Sequence, residues 1–468
     1  MKKLFLLLIL SFFSTQGFSG SCPDGSEPVR SISADGTYFV YNCGGSNEQA
    51  SSSTANSSNV NSNTKALAGI YIENDPNINF FAPPLHPPPT RELFEWTGLY
   101  YKADFNNDGL TDVIHIGTMQ ARKFGCTYED GCSLQQMDDV NKPQPALYLG
   151  GADGKFHYST ELLIDNRDNK GMSLGRQLLI ADYNNDKVLD IYIPDHGMDK
   201  ENIGYRDSYY LSQPNGTWLE SSNTHLSDNN FRAYTHGGAT GDIDNDGDMD
   251  VVLTDWGTFW CLKNDGSGFL TKRKCGGSNA FALELADMDN DGDLDAIFGG
   301  HEYGGDGFPT GIYWNDGRGN FMPYNTTPLK QYKAWGTIPE VSAWDLDNDG
   351  DMDIVYSRAG KSYKGTAIQI IENLGNKKFK DRGLIEVRPA PEGYTSNWEG
   401  NPWNAFIVMI KFRDFDEDGD MDVYFGGGSH HTNGMVLLNE GDFNFELLKP
   451  NDASYLYDRV GPGLKIGN

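Results

Sequence analysis

The chain has 468 residues and a formal net charge of −29 at neutral pH. That balance speaks against nucleic acid or an anionic membrane as partner, because both would repel it. Aromatic residues make up 12% of the chain, with 55 glycines and 21 prolines, a composition that favours many short strands joined by tight turns.

Residues 1–21 read as a secretory signal. Lys2 and Lys3 precede the apolar run Leu4–Phe13, and small residues surround Ser19, Gly20 and Ser21. The run is too short to span a bilayer and no later segment is long enough, so no transmembrane segment is expected. A secreted, periplasmic or cell-surface location follows. The six cysteines form neighbouring pairs, Cys22 with Cys43, Cys126 with Cys132 and Cys261 with Cys275. An even number in an exported chain reads as disulfides, although six cysteines allow 15 connectivities.

Residues 22–43 make a small unit bracketed by cysteines, with turns at Asp24-Gly25 and Asp35-Gly36 and a strand over Thr37–Tyr41. Such a hairpin could hardly fold alone without its bridge. Residues 44–65 are dominated by Ser, Asn, Gly, Thr and Ala, a linker with no means of burying a core. Residues 66–468 form a repeat domain.

Its clearest repeat is Gly241–Asp250, G-D-I-D-N-D-G-D-M-D. Carboxylates at alternating positions can fold inward around a hard cation, a glycine permits the sharp turn, and a later carboxylate closes the loop. The apolar run Val251–Leu253 follows at once, which suggests a loop between strands. Six copies occur, starting at Asp104, Asp182, Asp242, Asp287, Asp345 and Asp414 and ending at Asp112, Asp190, Asp250, Asp295, Asp353 and Asp422. Solvated acidic turns have no reason to keep one spacing six times.

A second signature alternates with the first. Tyr148–Phe156, Tyr210–Trp218, Cys261–Phe269, Tyr313–Phe321, Ile371–Phe379 and Leu437–Phe445 each give apolar residues, a polar turn and an aromatic, the pattern of a hairpin. One repeat is therefore four strands, the content of a propeller blade. A further hairpin, Tyr71–Phe80, precedes the first acidic loop, and the tail Leu447–Asn468 follows the last hairpin. If these two pieces join, an all-β propeller of seven blades closes with no open sheet edge; six blades is the alternative.

The acidic loop together with the N-D-G-x-G-x-F hairpin resembles the FG-GAP/VCBS repeats of integrin-alpha-like propellers, over residues 66–468. The resemblance implies calcium-binding blades in which the first, third, fifth and ninth residues of each loop are side-chain ligands and the seventh offers its carbonyl. Those ligands are Asp104, Asn106, Asp108 and Asp112 in loop 1, and Asp182, Asn184, Asp186 and Asp190 in loop 2. They are Asp242, Asp244, Asp246 and Asp250 in loop 3, and Asp287, Asp289, Asp291 and Asp295 in loop 4. Loop 5 supplies Asp345, Asp347, Asp349 and Asp353, and loop 6 Asp414, Asp416, Asp418 and Asp422. Lys187 stands where the other five loops have glycine. Its left-handed backbone costs roughly 1 kcal/mol, so with Asn184 it makes the second of up to six calcium sites the weakest. Carboxylates about 4 Å apart repel by roughly 4 kcal/mol per pair at an effective dielectric near 20, which gives the cation a structural role.

Function is expected in the loops opposite, joining second to third strands. His196, Trp256 and His301 stand in register there, each six residues after a closing Asp, with His430 and His431 close by in their own repeat. Arg176, His236, Trp335 and Trp403 lead into first strands at the same face. A rim of Trp, His and Arg suits a glycan or protein ligand bound by a monomeric exported adhesion or binding module. The alternative is a secreted, lyase-like polysaccharide enzyme using His196, His301, Arg176 and His236. No G-x-S-x-G, H-E-x-x-H or catalytic cysteine setting is present, and no catalytic residue is assigned.

Overall fold

The structure is a computed structural model. It describes residues 29–32, 39–42 and 99–449, the last apart from 117–132, 140–141, 143, 199–202, 256, 278–279, 304–309, 391–406, 417 and 427–434. The signal, the linker, Cys22, Cys43, Cys126, Cys132, the Tyr71–Phe80 hairpin, Trp256, Trp403, His430 and His431 lie outside the described residues. The chain divides into two units, residues 1–64 and 65–468. In the first, Val29–Ile32 pairs antiparallel with Phe39–Asn42. Among the described residues no helix is long and apolar enough to cross a membrane.

The second unit is an all-β propeller. Blade 1 is Leu99–Ala103, Asp112–Ile116, Ala146–Gly150 and Phe156–Tyr158; blade 2 is Leu179–Ala181, Asp190–Ile193, Ser208–Ser212 and Trp218–Glu220. Blade 3 is Gly237–Gly241, Asp250–Asp255, Thr258–Lys263 and Thr271–Gly276; blade 4 is Ala280–Ala286, Asp295–Gly300, Gly311–Tyr313 and Thr326–Pro328. Blade 5 is Thr337–Trp344, Asp353–Ala359, Thr366–Asn373 and Phe379–Arg388; blade 6 is Met409–Arg413, Asp422–Gly426, Met435–Asn439 and Phe445–Leu448. Each is an antiparallel meander in chain order. Blade 2 alone among them carries a fifth strand, Leu163–Ile164, parallel to Trp218–Glu220 on its outer edge.

Second strands such as Asp353–Ala359 are buried at every residue because a neighbouring blade covers each face. The core lies in the seams. Val252 and Phe259 of blade 3 pack with Leu283 and Phe298 of blade 4, and Ile297 and Ile312 of blade 4 with Val341 and Tyr356 of blade 5. Tyr101 and Ile114 of blade 1 share a cluster with Ile191 and Tyr210 of blade 2 and with Val408 at the start of blade 6. Each such side chain contributes about 1.5–3 kcal/mol when fully buried. Near the axis small residues are required: a Cβ on Gly237 would lie 2.6 Å from the Phe281 carbonyl oxygen of the next blade.

The seven-blade expectation gives way to six. One axial cavity of about 20 Å³ is lined from all six blades, by Tyr101, Gln177–Leu179, Gly238, Glu284, Glu340 and Val408–Lys411, so six inner strands close the ring. The final hairpin also completes its own blade, Met435–Asn439 pairing with Asp422–Gly426 on one side and Phe445–Leu448 on the other. The cavity has room for about one water molecule and none for a sugar.

Five of the six expected hairpins turn where the signature places them. In blade 4 the fourth strand starts later, at Thr326. Phe321 is instead fully buried against blade 3, its amide donating to the Cys275 carbonyl at 2.8 Å.

Candidate functional site

The six acidic loops join first to second strands, so they share one face of the ring. All six have one internal frame. The first Asp accepts the amides of the fifth and sixth residues; in loop 3, Asp246 and Gly247 donate to Asp242 at 3.1 and 2.9 Å. The ninth Asp is buried and accepts from the loop's second residue and from the start of the hairpin turn. In loop 5 these donors are Leu346 and Asn373, both at 2.8 Å, and loop 2 repeats the pattern through Tyr183 and Ser212 at 2.8 and 2.7 Å. Burial pushes the closing carboxyls up, Asp190 to about 6 and Asp353 to about 8. The closing Asp thus holds loop and hairpin together whatever else it binds.

The third residue separates the loops into two kinds. In loops 3, 4 and 6 an oxygen of Asp244, Asp289 and Asp416 is buried without a hydrogen-bond partner. One oxygen each from Asp242, Asp244 and Asp246 lies within 4.8 Å of the others, as do those of Asp287, Asp289 and Asp291. In the later blades the groups are Asp345, Asp347 and Asp353, and Asp414, Asp416 and Asp422. A cation holding oxygens at about 2.3–2.6 Å bridges such a spread, and a buried carboxylate oxygen without a donor calls for one. The donor set fits a hard divalent ion. Two lysines compete for it: the Lys263 ammonium contacts Asp244 and Asp246, and Lys377 reaches Asp289 at 2.7 Å.

Loops 1 and 2 satisfy themselves. The Asn106 amide donates to Asp108 at 3.0 Å. In loop 2 the Ser212 hydroxyl donates to Asp186 at 2.7 Å and the Asn184 amide to the Ser212 hydroxyl at 3.3 Å. Lys187 adopts φ 71°, the left-handed conformation its position demands.

At the opposite face the structure brings His196 and His236 together, Nε2 to Nε2 at 3.1 Å. The Tyr234 carbonyl lies 3.1 Å from His236 Nδ1, which assigns the proton there and makes His196 the donor of the pair. Phe281 lies between His236 and His301, with ring centroids at 4.3 and 4.2 Å. Arg176 donates to the His236 carbonyl at 3.1 Å. Burial, then His196 and Arg176, holds His236 well below the usual histidine range, and burial brings His301 down to about 4.

The carboxylates beside these histidines in sequence are engaged elsewhere. Asp195 accepts from Ser173, Leu174 and Gly197. Glu302 is paired with the buried Arg358 guanidinium at 2.9 and 3.0 Å, and Arg358 also bonds the Trp335 carbonyl at 3.0 Å. Neither forms an acid/base pair with its neighbouring histidine. Sequence reasoning missed the axial set of Gln177, Glu284, Glu340 and Lys411. The signal was a charged residue inside an otherwise apolar or small first strand, as in A-F-A-L-E-L-A. Burial pushes Glu340 up to about 8 against the opposing Arg176.

Residues 242–298, from the acidic loop of blade 3 into the second strand of blade 4, match the FG-GAP-like repeat model. With two linked motifs on six like blades, the match supports a propeller of FG-GAP-like repeats. No curated protein matches the sequence. Among solved structures, the FG-GAP propeller is similar to a lectin of Agrocybe aegerita that recognises non-reducing terminal N-acetylglucosamine (16% identity, TM-score 0.45, covering 76% of this chain and 80% of that one). The biofilm matrix protein Bap1 of V. cholerae is 15% identical, with TM-score 0.32 and coverage of 66% and 42%. The NanB sialidase of Streptococcus pneumoniae is 11% identical, with TM-score 0.33 and coverage of 72% and 55%.

Proposed function

We propose that this FG-GAP propeller is an exported calcium-binding protein that binds a glycan or protein ligand at the face opposite its acidic loops. The observation that carries the calcium reading is the buried third-position oxygen without a partner in loops 3, 4 and 6. Calcium would be held by the first, third, fifth and ninth side chains of loops 3–6, where it would neutralise the crowded carboxylates and fix the first two strands of each blade. Loops 1 and 2 would bind more weakly. The disulfide joining Cys261 to Cys275 suits an oxidising, exported setting.

Binding is favoured over catalysis because Asp195 and Glu302 are locked in structural bonds and the two histidines bond each other. Arg176, half-buried, bonded to the His236 carbonyl and near enough to the cavity-lining Glu340 to act on its carboxyl, is the cation we assign to meet a polar ligand.

The test is a thermal melt of the full chain with calcium, with magnesium and with a chelator, together with elemental analysis. About four tightly bound calcium ions and a drop of more than about 10 °C on chelation are expected, since each site adds up to ~4 kcal/mol at a thousandfold excess over its dissociation constant. Less than one calcium per chain and an unchanged melt would sink the reading. A glycan array probed with wild type and Arg176→Ala then tests the ligand face; cleavage of a bound polysaccharide would replace binding by catalysis.

A further inference from the structure

The fourth residue of each acidic loop has no place among the side-chain ligands, yet five of the six are asparagine: Asn107, Asn185, Asn245, Asn290 and Asn348. All five lie in the left-handed region, with φ between 59° and 63°, which asparagine tolerates better than most residues. Their side-chain amides leave their own loops. Asn185 donates to Asp248 and Asn245 to Asp293, at 2.8 and 2.6 Å. Asn290 donates to Asp351 and Asn348 to Asp420, at 2.5 and 2.8 Å. Each acceptor is the seventh residue of the next blade's loop. Where loop 2 has Val188 at that position, Asn107 donates to the Lys187 carbonyl at 3.0 Å instead.

From this arrangement we infer that these asparagines are positioning residues which couple neighbouring cation sites, an inference that rests on the calcium reading above. The apex of one loop is tied to the residue that would present the carbonyl ligand of the next. Ordering one loop around its ion therefore holds the adjacent carbonyl in place before its own ion arrives. At the junction of blades 6 and 1 the sequence supplies neither half of the clip, since loop 6 has Glu417 at position four and loop 1 has Leu110 at position seven. The sites form an open series from loop 1 to loop 6, and loading is cooperative along it.

The experiment is calorimetric titration of calcium into the full chain, comparing wild type with Asn290→Gly, Asp351→Ala and the double variant. Glycine keeps the backbone angle at position 290, and alanine at 351 keeps the carbonyl. Each single variant is expected to weaken part of the isotherm about fivefold or more and lower its steepness, with the same number of ions bound. The double variant should match the singles, because one bond is lost in each case. The calcium-free melting temperature should stay close to wild type, a readout that a purely structural role would lower. Variant isotherms that superimpose on a calcium-binding wild type would overturn the coupling and leave the calcium reading standing. A wild type that takes up no calcium would overturn both.

Discussion

Repeats 1 and 2 and repeats 3–6 have one loop backbone and two chemistries. In both kinds the first Asp gathers the amides of residues five and six, and the ninth bolts loop to hairpin. In repeats 1 and 2, asparagine at position three and, in loop 2, the Ser212 hydroxyl satisfy the remaining carboxylates with neutral donors. In repeats 3, 4 and 6 an aspartate oxygen there is left without one. The frame of the loop and its capacity for a cation are therefore separable. The frame depends on positions one and nine, the ion on position three and its surroundings.

The largest test of that separation removes the frame in both kinds. Asp295→Ala in repeat 4 and Asp190→Ala in repeat 2 each strand two buried amides, and each should cost about 2–4 kcal/mol in chelator-containing urea melts. A much smaller loss in repeat 2 would break the comparison. Next, Asn184→Asp with Lys187→Gly should convert loop 2 to the other kind and raise the calcium count by one; an unchanged count would show that more than these two residues divides the classes. Smaller still, Lys263→Met removes the ammonium that Asp244 and Asp246 hold. It should tighten calcium at loop 3 roughly fivefold, measured by competition with a fluorescent chelator.

The smallest effect concerns the seam where the two classes meet, between His196 of blade 2 and His236 of blade 3. The folded chain keeps His236 and His301 neutral, His301 down at about 4, whereas an unfolded histidine takes up its proton near 6.5. Their stabilising contribution is complete above about pH 6.5 and is lost as pH falls toward 4. With calcium saturating, the fall in stability from pH 7 to 6 should be about 0.7 kcal/mol smaller in His301→Gln than in wild type.

Strand order, loops and hairpins were legible because each is local: six acidic loops and six aromatic-ended turns set the phase of every blade. The blade number was not. Tyr71–Phe80 and the tail looked like two halves of one blade, but closure depends on how many inner strands meet around the axis, a property of small residues such as Gly237 and Gly238 that no motif announces. The same limit hid the fourth-position asparagines. Their repetition was visible as N-D in five loops, but their acceptors lie 48–81 residues away in the next blade or its hairpin. On the opposite face, register aligned His196 with His301; it could not tell that Asp195 and Glu302 would turn away from them.

The short fifth strand of blade 2 bears on how these molecules behave in a crowd. Outer strands present unsatisfied amides and carbonyls to any extended peptide. Leu163–Ile164 covers that row along Trp218–Leu219, so the segment arriving from blade 1 also works as a guard against edge-to-edge aggregation. Proline at both guard positions would unpair it. Oligomers seeded at blade 2 should then appear by light scattering on prolonged storage, well below the melting temperature.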